Sequence, residues 1–137
     1  MSQKKKILIG DDKSINRYVL RGIFEGAYDI IECKNGDEIM QAIKEEQDSL
    51  AVILLDLIMP NGDGFFVLDQ LKEEGFKAAP VVVITANLDD EVLRRTYSYE
   101  VADYIQKPFQ EDVVRQRVLC VIRRFEKQSV DAEPRLA

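Results

Sequence analysis

At 137 residues, 46% apolar and 32% charged, the chain suits one soluble domain whose core needs no disulfide or structural metal. No apolar stretch approaches the roughly 20 residues of a membrane span, and the basic lead from Met1 to Lys6 lacks a signal-peptide core. The formal charge of −6 argues against direct nucleic-acid binding, the lack of histidine excludes Ser–His and Cys–His catalysis, histidine-ligated zinc and a phosphohistidine-donor role, and the well-separated Cys33 and Cys120 read as reduced thiols of a cytoplasmic protein.

In chain order, apolar runs of four to six residues alternate with longer amphipathic segments, as when parallel strands are buried on both faces under crossover helices. The first strand is expected near 6–10 and ends in Asp11-Asp12, and Ser14 is the predicted N-cap of a helix near 14–25. A strand near 29–32 leads to Asn35-Gly36, which turns the chain into a helix near 37–47. The third strand, near 51–56, ends in Asp56, and Pro60, Gly62 and Gly64 make a loop before a helix near 64–74. The fourth, near 80–85, ends in Thr85, after which Asp89-Asp90-Glu91 open a helix near 89–98 whose dipole accounts for them. The fifth strand, near 102–106, runs into Lys107-Pro108. A helix near 110–126 follows, with Val114, Val118, Val121, Ile122 and Phe125 on one stripe that reads as core rather than as a seam for a partner helix. Residues 1–126 are thus expected to form the domain, and 127–137 a polar tail or truncated linker.

Carboxylates, a hydroxyl and an ammonium therefore stand at the carboxyl ends of predicted strands, which share one crevice in an open parallel sheet. Singly, each has a structural explanation: a capped turn for Asp11-Asp12, a strand-end acid for Asp56, a β-former for Thr85, a surface charge for Lys107. Their joint placement is what those explanations fail to predict. A calcium loop starting at Asp56 is rejected, because Ile58 and Val67 stand where ligands belong. No Gly-rich phosphate loop follows the first strand.

Ile7-Leu8-Ile9-Gly10-Asp11-Asp12, Leu55-Asp56-Leu57-Ile58-Met59-Pro60 with Gly62-Asp63-Gly64, Ile84-Thr85-Ala86 and Asp103-Tyr104-Ile105-Gln106-Lys107-Pro108-Phe109 together resemble the receiver domains of bacterial two-component response regulators, from about residue 5 to 126. The resemblance implies an α/β fold of the flavodoxin-like (βα)5 type, a three-layer sandwich around a five-stranded parallel sheet in strand order 2-1-3-4-5. It implies that Asp56 accepts a phosphoryl group from a phosphohistidine of a sensor histidine kinase or phosphotransfer protein. Mg2+ would be held by Asp11, Asp12, Asp56 and the backbone carbonyl of Ile58. Lys107, Thr85 and the backbone N–H of Ala86 would take the phosphoryl oxygens. Thr85 and Tyr104 would be the switch pair, remodelling the face made by the fourth helix, fifth strand and fifth helix. The Lys107-Pro108 bond matches the family's cis peptide.

A charge count explains these residue types. Three carboxylates, a divalent cation and one ammonium sum to zero, whereas an acyl phosphate on Asp56, with about −2 on its oxygens, leaves an excess near −1 that must recruit donors. The resemblance further implies a switch that is autocatalytic and self-dephosphorylating, not a turnover enzyme.

Three departures stand out. Gly10 replaces a larger apolar residue, with looser strand end or closer packing as the alternatives; Glu100-Val101 replace Gly-Ala, so the fourth helix should lack a glycine C-cap; and apolar Ile58 leaves Asn87 as the side chain that tunes phosphoryl loss. Asn16, Arg17 and Leu20 are expected to face solvent on the first helix and help choose the kinase. For output, a single-domain relay that binds a protein partner stands beside the excised receiver of a longer regulator with a fused output domain. A cyclic-dinucleotide enzyme is one candidate output, because Val113 to Val118 resembles the fifth helix of such proteins. A phosphorylation-independent scaffold remains as an alternative, and whether phosphorylation drives homodimerisation is left open. A haloacid-dehalogenase-type phosphatase is set aside, since its DxD signature on the first strand is absent.

Overall fold

A computed structural model describes residues 4–132. Five strands, β1 (Lys6–Gly10), β2 (Asp29–Cys33), β3 (Leu50–Leu55), β4 (Val81–Thr85) and β5 (Asp103–Gln106), pair in parallel in the order β2-β1-β3-β4-β5. This is the flavodoxin-like arrangement expected from the sequence. β1, β3 and β4 are interior strands, and their Val, Ile and Leu residues are buried on both faces, which is why they read as continuous apolar runs.

Alternation along each strand sorts the core into two layers. Ile7, Ile9, Val52, Leu54, Val82 and Ile84 pack beneath α1 (Ser14–Phe24) and α5 (Glu111–Ala132). Leu8, Ile53, Leu55, Val81 and Val83 pack on the opposite side, beneath α2 (Gly36–Glu46) and α3 (Asp63–Glu73). The short α4 (Asp90–Thr96) contributes Val92 to that second layer. Val114 and Val118 are fully buried, and Val121 and Ile122 nearly so, so the α5 stripe is core.

The local signals act as chemistry requires. Asn35 caps α2 by accepting from the Glu38 N–H at 2.8 Å, and Asp89 caps α4 by accepting from the Val92 N–H at 2.9 Å. Ser14, in contrast, is not an N-cap. Lys13 holds that position without a side-chain cap, and the Asp11 carboxylate accepts from the Lys13 N–H at 2.9 Å, so the turn that starts α1 is closed one residue earlier than predicted. At its end α4 stops at Thr96, whose hydroxyl bonds back to the Leu93 carbonyl, and Tyr97 caps it in a right-handed conformation, in keeping with the missing glycine.

α5 continues to Ala132, through the first six residues of the predicted tail, because Glu126, Lys127 and Gln128 favour helix and no Gly or Pro interrupts before Pro134. Residues 133–137 lie outside the described residues. Gly10 resolves toward closer packing: a Cβ there would meet Ile39 Cδ1 at 2.5 Å, so α2 sits against the bare backbone.

Candidate functional site

Three of the chemistry-bearing residues are held by extending the sheet ladder one step past a strand, while Thr85 is the last residue of β4. The Asp11 N–H donates to the Cys33 carbonyl at 3.0 Å, the Asp56 N–H to the Gly10 carbonyl at 2.9 Å, and the Lys107 N–H to the Thr85 carbonyl at 2.9 Å. Because β1 and β3 are neighbours in the sheet, the acid pair and Asp56 meet in one crevice, and β5 delivers Lys107 to it from the far edge of the sheet. The Lys107–Pro108 bond is cis, as the resemblance implied.

Within the crevice the Lys107 ammonium bridges two carboxylates, at 2.8 Å from Asp11 Oδ2 and 3.1 Å from Asp56 Oδ2. The other oxygen of Asp56 accepts from the Ile58 N–H at 3.0 Å. Asp11 and Asp56 are only 2% and 6% exposed. Burial pushes the Asp56 carboxyl above the usual carboxylate range, against the Ile58 N–H and the Lys107 charge, with the neighbouring Asp11 adding to the rise. The buried Thr85 hydroxyl makes no well-formed hydrogen bond and is the weakest of the influences on the Asp56 charge. For Lys107, burial alone would depress the ammonium; the Asp11 hydrogen bond and the Asp56 charge outweigh it and raise its pKa.

Asp11, Asp12 and Asp56 each present an oxygen, all within 4.8 Å of one another, and Asp12 Oδ1 is buried without a partner. An orphaned carboxylate oxygen beside two others is a set of hard donors fit for a divalent cation, and so few protein ligands leave room for the waters that Mg2+ retains. Ile58 meets Asp56 through its backbone N–H, and the residue is 49% exposed. Ala86 sits at the rim and Tyr104 is half-buried against the α3 side of the core. Asn87 accepts from the Asp89 N–H at 3.2 Å, at the entrance to α4. A separate cavity of about 710 Å3, walled by Leu68, Phe76, Tyr99, Val121 and Phe125, touches none of these groups.

Of the three α1 residues expected to face solvent, Leu20 is buried and Asn16 and Arg17 are half-buried. Leu20 is 2% exposed in the core, Asn16 Nδ2 reaches toward Asp11 at 3.4 Å, and Arg17 donates to the Asp11 main-chain oxygen and to Glu32. Ile15 and Tyr18 hold the exposed positions, at 64% and 72%. One helix in isolation does not reveal which of its faces meets a crevice. Gly64, noted only as a loop former, has a second role: a Cβ there would lie 2.5 Å from the Leu57 Cα and 2.6 Å from the Asp56 carbonyl, so its bareness lets α3 approach the loop that follows β3.

The family model described as the response regulator receiver domain matches residues 7–119. The transcriptional regulatory protein ResD of Bacillus subtilis (strain 168) is 38% identical over 132 residues, covering 93% of this chain and 52% of that protein. SrrA of Staphylococcus aureus (strain NCTC 8325 / PS 47), also a transcriptional regulatory protein, is 34% identical over 131 residues, 94% of this chain and 53% of that one. The chain thus spans about half the length of these curated relatives. Among solved structures, a CheY-like receiver domain protein from Methanospirillum hungatei JF-1 superposes with a TM-score of 0.83 at 20% identity, over 92% of this chain and 99% of that one. A chain of the CheX–CheY–BeF3–Mg2+ complex from Borrelia burgdorferi gives 0.77 at 28% identity, over 85% of this chain and 88% of that one.

Proposed function

The chain belongs to the response regulator receiver family of two-component signalling, and from that premise we propose that it is a phosphoacceptor switch with Asp56 as nucleophile. One Asp56 carboxylate oxygen attacks the phosphorus of a phosphohistidine on a sensor histidine kinase or phosphotransfer protein. The new O–P bond forms as the N–P bond breaks, and the imidazole leaves. The ammonium that rests between Asp11 and Asp56 is the observation that carries this reading, because a cation poised at that point has only to exchange a carboxylate oxygen for a phosphoryl oxygen.

Asp11, Asp12, Asp56 and the Ile58 carbonyl would hold Mg2+, which when bound neutralises and orients the transferring oxygens. The Thr85 hydroxyl, orphaned in the resting crevice, donates to a second phosphoryl oxygen, with the Ala86 N–H beside it. The inward shift of Thr85 vacates space into which Tyr104 rotates, and the face of α4, β5 and α5 changes. That face signals to a protein partner or a fused output domain.

For the output, the likeness to ResD and SrrA, both named as transcriptional regulatory proteins, favours a transcription-regulating output over a cyclic-dinucleotide enzyme. We place its action in the cytoplasm, where kinase-borne phosphohistidine is met; among the described residues no helix is long and apolar enough to cross a membrane.

The test is intact-mass analysis after incubation with acetyl phosphate, in Mg2+ and in chelator. One hydroxylamine-labile phosphoryl adduct that requires both Asp56 and Mg2+ is expected. No adduct from acetyl phosphate or a cognate kinase, with partner binding unaltered in Asp56→Asn, would replace the switch by a scaffold.

A further inference from the structure

Where β1 leaves the sheet, the Asp11 N–H is still paired to β2 but its carbonyl has passed the last ladder partner and needs a donor from elsewhere. Arg17 supplies it, with Nη1 at 2.6 Å from the Asp11 main-chain oxygen. The same guanidinium is fixed from behind: its Nε donates to Glu32 Oε1 on β2 at 3.1 Å, and the second oxygen of Glu32 is taken by Arg21 Nε at 2.7 Å. Arg17 is only 14% exposed, so this is a sheltered fork with both prongs engaged, unlike a mobile surface cation. Glu32 stays firmly ionised, since the Arg21 hydrogen bond holds its carboxyl below the usual range, with Arg17 adding to it.

The bonded carbonyl belongs to the peptide unit that joins Asp11 to Asp12. Its plane sets the direction in which both side chains leave the backbone. A rotation there would separate the two carboxylates from each other and from Asp56, whatever their own rotamers. We infer that Arg17, oriented by Glu32, is a positioning residue for the cation site, holding the Asp11–Asp12 peptide so that both carboxylates converge on Asp56. This rests on the reading of Asp11, Asp12 and Asp56 as the Mg2+ site.

Charge and geometry make opposite predictions here. Arg17 is a positive group next to a cation site, so its charge alone opposes Mg2+, and Arg17→Gln should tighten binding if charge were its only influence. Loss of the fork should weaken it, because outer partners that orient metal-binding carboxylates typically contribute about ten- to a hundredfold to affinity. Calorimetric titration of the full chain with MgCl2 separates the two, with thermal unfolding recorded on each variant. The expected result is about tenfold weaker binding in Arg17→Gln. Arg17→Lys, which keeps the charge but cannot grip both the carbonyl and Glu32, should be weakened as well. Glu32→Gln should be weakened by a few fold as well, but in the direction its lost charge alone would give, so Arg17→Lys, whose charge is unchanged, carries the test if Arg17→Gln fails to fold. Arg21→Gln removes the same charge from the other side of Glu32 and should stay within about twofold of wild type.

Equal or tighter binding in Arg17→Gln, or an equal loss in Arg21→Gln, overturns the clamp alone. A wild-type chain that takes up no Mg2+ overturns the clamp together with the cation site on which it depends.

Discussion

At Asp56 two requirements of one residue conflict: the nucleophile we propose there must be ionised, yet burial at 6% exposure favours the neutral acid. Lys107 offsets only part of that burial, and the carboxyl titrates above the ordinary 3.8. The sign follows from linkage. An acid whose folded pKa is raised binds its proton more tightly in the folded chain, so its contribution to stability is largest below 3.8 and is lost as pH rises through the folded value. At neutral pH the charged Asp56 therefore destabilises the resting fold. Asp56→Asn in chelator should melt higher than wild type at pH 7.5, with the gap closing as pH falls through the raised folded value toward 3.8. Melting curves at several pH values check this, and a wild type more stable than the Asn variant at pH 7.5 would contradict it. Stability given up at the acceptor is regained when a cation or a phosphoryl group brings new partners.

The elements hold that conflict in place by close approach, most visibly where the start of α3 meets the loop after β3. Gly64→Ala would set a methyl 2.5 to 2.7 Å from the backbone of Asp56 and Leu57, atoms that cannot rotate aside. A loss of about 2 kcal/mol is expected. Gly22→Ala, on the exposed side of α1 with nothing within 4 Å, should instead gain roughly 0.5–1 kcal/mol from helix propensity. Parallel denaturant titrations of the two variants test the contrast, and a mild Gly64→Ala would sink it.

These contrasts also mark what was legible in the chain. Strand ends were plain, since Val81 to Thr85 and Leu50 to Asp56 switch from β-branched apolar to polar within one residue. Asn35 and Asp89 act through the next turn of backbone, so their caps were readable too. The facing of Arg17 and the role of Gly64 depend on contacts between different elements, which no local pattern encodes, whereas the start of α1 was misread because Asp11, three residues before Ser14, closes the turn in its place. The extent of α5 was missed for another reason: polar helix formers such as Lys127 and Gln128 look the same in a tail as on a solvated helix.

At the scale of the molecule, the crevice draws on four of the five strands, so whatever binds there binds only the assembled sheet. Mg2+ at a hundred times its dissociation constant should then stabilise the fold by about 2.7 kcal/mol, or roughly 8 °C in melting temperature. Asp12→Asn should lose most of that shift; scanning calorimetry with and without MgCl2 decides, and an equal shift in the variant would remove Asp12 from the site. The bridge made by Lys107 has a consequence in time as well. The lysine joins Asp11 across 96 residues and Asp56 across 51, and it arrives on the edge strand, the last to leave the ribosome. Until then the growing chain carries its three acids without their counter-charge, mutually repelled at the mouth of an open half-sheet. With Asp56 as the proposed acceptor, a chain cut short before β5 lacks the ammonium that faces it and should stay mute rather than give a false signal.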